Sequence, residues 1–108
     1  MKVYISIPIS GYDVREVQEH ADIVKSHLSR KGYTVISPFE IYAGKNPTYT
    51  DRILANLEKL FECDAVYICN SWRESKGCRI EHMVAEEFGK VIMYESVDDQ
   101  ASNYYFDR

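Results

Sequence analysis

Residues 64–94 read DAVYICNSWRESKGCRIEHMVAEEFGKVIMY, and two periodicities stand side by side in them. DAVYICN is a nearly unbroken apolar run, the pattern of a strand buried on both faces. KVIMY at residues 90–94 is another strand-like run. Between them Ile80, Met83, Val84, Ala85 and Phe88 recur at helical spacing, which predicts an amphipathic helix after a polar loop at residues 71–76. Strand, helix, strand is the unit from which parallel sheets are built. One residue inside it is out of place. Glu86, Glu87 and His82 fall on the polar side, but Glu81 has Val84, Ala85 and Phe88 at i+3, i+4 and i+7. A carboxylate set among apolar neighbours is costly unless it has partners or a task. The plainer reading is a first-turn glutamate favoured by the helix dipole.

The same alternation extends towards the N-terminus. Residues 2–7 are β-rich and Pro8 closes the run. A helix follows from about Gly11, with Val14, Val17, Ala21, Val24 and Leu28 as its stripe. Asp13 and Glu16 make a D-x-x-E capping pattern, and Gly32 is a natural terminator. Residues 33–38 are a second strand, residues 39–49 a loop, and residues 50–62 a second helix with Ile53, Leu54, Leu57, Leu60 and Phe61 as its buried face. The order β-α-β-α-β-α-β predicts an α/β fold, a parallel sheet of about four to five strands with helices on both faces. This is the three-layer sandwich of Rossmann or flavodoxin type. Residues 1–108 are expected to be one domain, with a polar tail from about residue 95 that is able to contact a partner. In such folds ligands bind beyond the carboxyl ends of the strands, which are followed here by residues 8–12, 37–49 and 70–77. Glu81 therefore lies near the expected crevice.

Charge and composition narrow the partners. Seventeen acidic against 13 basic residues give a net charge of −4, which disfavours a nucleic-acid backbone. Three cysteines, Cys63, Cys69 and Cys78, do not form a disulfide framework. The start of the chain lacks the long apolar segment of a signal peptide, and no stretch approaches a membrane span. The expectation is a cytoplasmic protein with no membrane partner. No G-x-G-x-x-G and no G-x-x-x-x-G-K-[ST] is present, so the dinucleotide and P-loop cradles are missing, and no cofactor is expected. His20, His27 and His82 are scattered without paired cysteines, so no metal site is expected either.

VYISIPISG, CDAVYICNSWRESKGCRIEH and GKVIMY together resemble the nucleoside 2-deoxyribosyltransferase superfamily. The likeness runs from Met1 to about Tyr94. It is strongest to a small uncharacterised branch found in bacteria and phages, related to a deoxynucleoside 5′-monophosphate N-glycosidase. The resemblance implies that Glu81 is a nucleophile, attacking C1′ of a deoxyribose to give a glycosyl-enzyme ester. It implies a small-molecule nucleoside or nucleotide as partner, and a homodimer or larger homo-oligomer. Sites in the relatives are completed by a neighbour's C-terminal residues, a part open here to Tyr104, Tyr105 and Phe106.

Further positions follow from the same resemblance. Ser75 occupies the place of a phosphate-holding serine in the nucleotide-hydrolysing relatives, with the backbone of Lys76 and Gly77 beside it. An N-cap serine is the equal alternative, and both roles are compatible. Ser10 and Gly11 are candidate phosphate or sugar contacts, and Trp72 a candidate base contact. Two departures stand out. The relatives carry a glycine and a small or polar residue where this chain has Ile7 and Pro8. Where they carry an acid that assists proton transfer, this chain has Asn56, which can hydrogen-bond but cannot act as an acid. A catalytically silent nucleotide-binding module is therefore the second reading. Tyr4 matches a recurring aromatic, read here as core. Cys78, near a helix start, is a weak candidate for an activated thiol.

Overall fold

The computed structural model describes residues 1–98. Strands β1 (Lys2–Ser6), β2 (Thr34–Ile36), β3 (Ala65–Ile68) and β4 (Val91–Tyr94) form one parallel sheet in the order β2-β1-β3-β4. Helices α1 (Val14–Arg30), α2 (Tyr49–Phe61) and α3 (Lys76–Glu87) connect them, with 3-10 turns at Pro38–Glu40, Trp72–Glu74 and Glu95–Val97. The α/β architecture expected from the alternation is what the chain adopts, with four strands among the described residues. The expected tail contacts of Tyr104, Tyr105 and Phe106 lie outside the described residues.

Period-2 alternation in the central strands sorts the two faces. Val3, Ile5 and Ile7 pack with Val17, Ala21, Val24 and Leu28 of α1. Tyr4 goes to the other face, where Leu60 of α2 and Ala85 of α3 join Cys63, Val66 and Ile68. Each strand of the centre is thus covered on both sides, which is why residues 65–68 read as an unbroken apolar run. Strand β1 pairs with β2 on one side and β3 on the other, with Tyr4 opposite both Ile36 and Val66. The strand order runs outward from β1 to β2 on one side and through β3 to β4 on the other, so the crevice at this switch lies at the carboxyl ends of β1 and β3.

Local signals set the helix ends. Asp13 caps α1 by accepting from the Arg15 N–H at 2.9 Å, not through the expected pairing with Glu16. Full capping boxes form instead at Thr48–Asp51, where α2 begins, and at Ser37–Glu40. Gly32, at φ +93°, closes α1 in the left-handed conformation, as its position after the helix suggests.

The apolar stripes are less buried than periodicity implied. Val14 is 57% exposed because it is the first residue of its helix. Leu54, Phe61, Met83 and Phe88 are also exposed. In α3 the buried side runs through Cys78, Glu81 and Ala85, rotated away from Met83 and Phe88. Phe88 packs edge-on against Phe61, 4.8 Å between ring centres, at the outer edge of the α2–α3 layer.

Candidate active site

Glu81 is only 5% exposed. It sits in the second turn of α3, against the sheet face that Tyr4 and Ser6 share by alternation. The Tyr4 hydroxyl donates to Oε2 at 2.8 Å and the Ser6 hydroxyl to Oε1 at 2.6 Å. Each carboxylate oxygen therefore has a fixed donor, and the plane of the group is set by two same-face positions, i and i+2, of one strand. Burial pushes the Glu81 carboxyl up to about 7, against the lowering effect of the Ser6 and then the Tyr4 hydrogen bond. At neutral pH it is poised between acid and carboxylate. Tyr4 itself is held well above the ordinary phenol range, first by burial and then by the Glu81 charge, so it stays a donor.

A cleft opens over Glu81. Its β1 side is formed by Tyr4, Ile7, Ile9 and Ser10. The helix α2 contributes Tyr49, Arg52, Ile53 and Asn56, whose spacing places them on one face. The opposite lip is the start of α3, with Ser75, Gly77 and Cys78. The two helices meet at Gly77, where a Cβ would stand 3.4 Å from Ile53 Cδ1 and 3.6 Å from the Tyr49 hydroxyl, ordinary contact distances. Ser75 is the N-cap of α3, its hydroxyl accepting from the Cys78 N–H at 3.2 Å. The first N–H groups of a helix have no intrahelical partner, so those of Lys76 and Gly77 are free of that ladder.

Of the residues singled out in the sequence, Glu81, Ser75, Gly77, Asn56 and Ser10 come together around this cleft. Three do not. Gly11 and Lys76 are exposed and lie outside its lining. Trp72 is half-buried and stacks on His82, ring centres 4.2 Å apart, with Tyr94 beyond and the Arg73 guanidinium over its other side. The reason is the helical angle: Trp72 meets the face of α3 that carries His82, one residue round from Glu81. His82 binds the Tyr94 hydroxyl at 2.7 Å and not Cys78. The Cys78 thiol is no nucleophile, in keeping with its weak standing in the sequence. It is buried and held above its usual range by burial, so the helix start does not make it reactive.

The sequence did not reveal Ser6, Tyr4's bond to Glu81, or Arg52. Ser6 was detectable: a serine in an apolar strand, on the same face as Tyr4, is the strand counterpart of the misplaced glutamate. A second buried polar group is formed by chain ends far apart in sequence. His20 Nε2 lies 2.7 Å from Glu95 Oε2, and Glu95 Oε1 accepts from the Asn70 N–H at 2.8 Å. With Cys69 these residues place three metal-capable atoms within 4.8 Å of one another, a proximity the scattered histidines did not suggest. Two of the three, His20 and Glu95, are hydrogen-bonded to each other.

Among the described residues no helix is long and apolar enough to cross a membrane. No curated protein matches the chain. Its structure is similar to that of a 2-deoxyribosyltransferase from the psychrotolerant bacterium Bacillus psychrosaccharolyticus, with a TM-score of 0.67 over 87% of this chain and 71% of the other. At 21% identity the likeness is one of fold. Residues 1–94 match the family described as a domain of unknown function, DUF4406, and the chain belongs to that family.

Proposed function

We propose that the protein cleaves or exchanges the N-glycosidic bond of a deoxynucleoside or its 5′-monophosphate through a glycosyl ester on Glu81. The observation that carries this reading is the buried carboxylate itself, gripped by Tyr4 and Ser6 under an open cleft. A structural ion pair would supply a cation, and neither Glu81 bond does so. The shared fold with a 2-deoxyribosyltransferase supports the same class of chemistry, and the sequence blocks above support kinship with that superfamily, its small bacterial and phage branch and its monophosphate N-glycosidase.

The proposed steps are those of covalent glycoside cleavage. A carboxylate oxygen of Glu81 attacks C1′ of the sugar, and the bond from C1′ to the base nitrogen breaks with its electron pair leaving on the base. The departing base takes its proton from solvent water, since Asn56 cannot donate one as an acid, and the water that resolves the ester returns a proton to solvent. Water then attacks C1′, freeing the sugar and the carboxylate, or a second base attacks and gives a new nucleoside. Tyr4 and Ser6 orient the carboxylate throughout. Ser75 and the Lys76–Gly77 backbone hold a 5′-phosphate, while Asn56 and Ser10 reach sugar or base. No metal or cofactor takes part, and residues 1–108 act as one domain.

The test is chromatography of deoxynucleosides and their 5′-monophosphates after incubation with enzyme, with and without a second free base. Base release or exchange that is lost in Glu81→Gln is the expected result. A Glu81→Gln protein of full activity refutes the mechanism. Asn56, standing in the cleft without an acid's proton, favours a second reading, a nucleotide-binding module that does not turn over. Calorimetric binding without product identifies it.

We infer also that the protein is a homo-oligomer in the cytoplasm, with a second copy covering the exposed apolar edge at Phe61 and Phe88. Phe88→Glu is expected to shift sedimentation towards the monomer. An unchanged sedimentation coefficient removes that edge as the contact.

A further inference from the structure

The cleft holds two formally charged side chains among the described residues, and they sit at opposite depths. Glu81 is buried at the floor, whereas Arg52 is exposed at the rim. No carboxylate among the described residues lies within ion-pair distance of Arg52. The neighbouring acid, Asp51, is turned back to accept from the Thr48 N–H at 2.9 Å. Arg52 therefore presents a planar set of donors to the cleft without a carboxylate partner among the described residues, on the same helix face as Tyr49 and Asn56. Across the cleft the wall offers hydroxyls from Ser75 and Ser10 and no acid. A guanidinium so placed matches a phosphate monoester, which it binds in a bidentate manner, better than any neutral substrate group.

We propose that Arg52 is the specificity residue of the cleft, selecting the 5′-monophosphate over the free nucleoside by direct contact with the phosphate. This rests on the N-glycosidic reading above for the position of the sugar, with C1′ at Glu81 and the phosphate towards the rim. Because Arg52 is solvent-exposed, the preference is moderate and screened by salt. A charge-assisted contact at such a site corresponds to about tenfold in affinity.

The experiment compares kcat/KM for one deoxynucleoside and its 5′-monophosphate in wild type, Arg52→Gln and Arg52→Lys, at low and high salt. Wild type is expected to favour the monophosphate. In Arg52→Gln the ratio of the two kcat/KM values falls about tenfold, mainly through KM for the monophosphate, and its salt dependence flattens. Arg52→Lys recovers part of the ratio, because it restores charge without the fork. The proposal is overturned if the ratio is unchanged in Arg52→Gln, or if wild type favours the free nucleoside. Should neither compound release base, the glycosidic reading fails by itself. Calorimetric titration of both compounds into wild type and Arg52→Gln then decides this proposal separately. Monophosphate binding that weakens in the variant supports it, and equal or absent binding overturns it. Circular dichroism of the variants establishes that the fold is intact.

Discussion

Glu81 carries the site, and its titration makes the site's behaviour testable. A nucleophilic carboxylate must be ionised, and burial holds this one up to about 7. Activity is therefore expected to rise with pH through the neutral range and level off above it. Both hydroxyl bonds lower the carboxyl, that of Ser6 more than that of Tyr4. Ser6→Ala and Tyr4→Phe are expected to move the midpoint of the kcat/KM profile upward, Ser6→Ala further. A midpoint that stays put in both variants would show that the rate reports another group. The same shift has a stability consequence of opposite sense. The folded-state value lies above the ordinary 4.5, so the fold holds a proton that the unfolded chain gives up. Stability is highest below 4.5, falls as pH rises towards 7, and is lower by about 3 kcal/mol beyond it. Glu81→Gln removes that term, so its melting temperature is expected to exceed that of wild type at pH 8 and to converge with it near pH 4.5. A variant less stable than wild type at pH 8 sinks this account. Glu81 was legible in the sequence because a carboxylate among i+3, i+4 and i+7 apolar neighbours breaks helical periodicity. Ser6 was detectable as a polar residue in an apolar strand, but its pairing with Glu81, like that of Tyr4, was not legible, because the two stand 75 and 77 residues away and only the fold brings them in.

At the scale of elements, the start of α3 does two jobs that pull apart under mutation. Ser75 caps the helix through the Cys78 N–H, so Ser75→Ala is expected to cost about 1 kcal/mol in urea unfolding whatever the ligand. Gly77 lies inside the helix at ordinary φ, where alanine is favoured by about 1 kcal/mol. The contacts a Cβ would make, 3.4 and 3.6 Å, are ordinary van der Waals distances. Gly77→Ala is therefore expected to fold and to melt higher than wild type, while its methyl group narrows the cleft and raises KM. Loss of stability in that variant would mean the α2–α3 approach is tighter than these distances imply. The elements themselves were readable from sequence, since short β-rich or apolar runs and stripes of period 3.6 alternate along the chain. Which face each helix buries was less so. In α3 the tertiary fit chose Cys78, Glu81 and Ala85 over the more apolar Met83 and Phe88. Trp72 misled for a related reason: closeness in the loop said nothing of the helical angle that sends it to His82.

Over the whole molecule, the first helix and the end of the last strand are joined on the α1 side of the sheet by two histidines two turns apart. His20 lies 2.7 Å from Glu95, and His27 lies 2.8 Å from Asp98. The Tyr67 hydroxyl, from the central strand, donates to Asp98 at 3.1 Å. Glu95 is 1% exposed and also accepts from the Asn70 N–H, at the start of the loop leading to α3. The clamp therefore ties α1 and the segment after β4 to the start of the loop that leads to Glu81. No pattern in the sequence announced it, because its members are single polar residues with no shared periodicity. His20→Ala takes one hydrogen bond from a buried carboxylate, which costs about 1–3 kcal/mol. His20→Gln keeps a donor near the same place and is expected to recover part of the loss. Urea unfolding at pH 7 reads both. If the clamp also steadies the loop at Asn70, hydrogen exchange at residues 70–75 should quicken in His20→Ala and not in Ser75→Ala beyond its own helix end. Equal stability of His20→Ala and wild type would assign the joining of the chain ends to apolar packing against α1 instead.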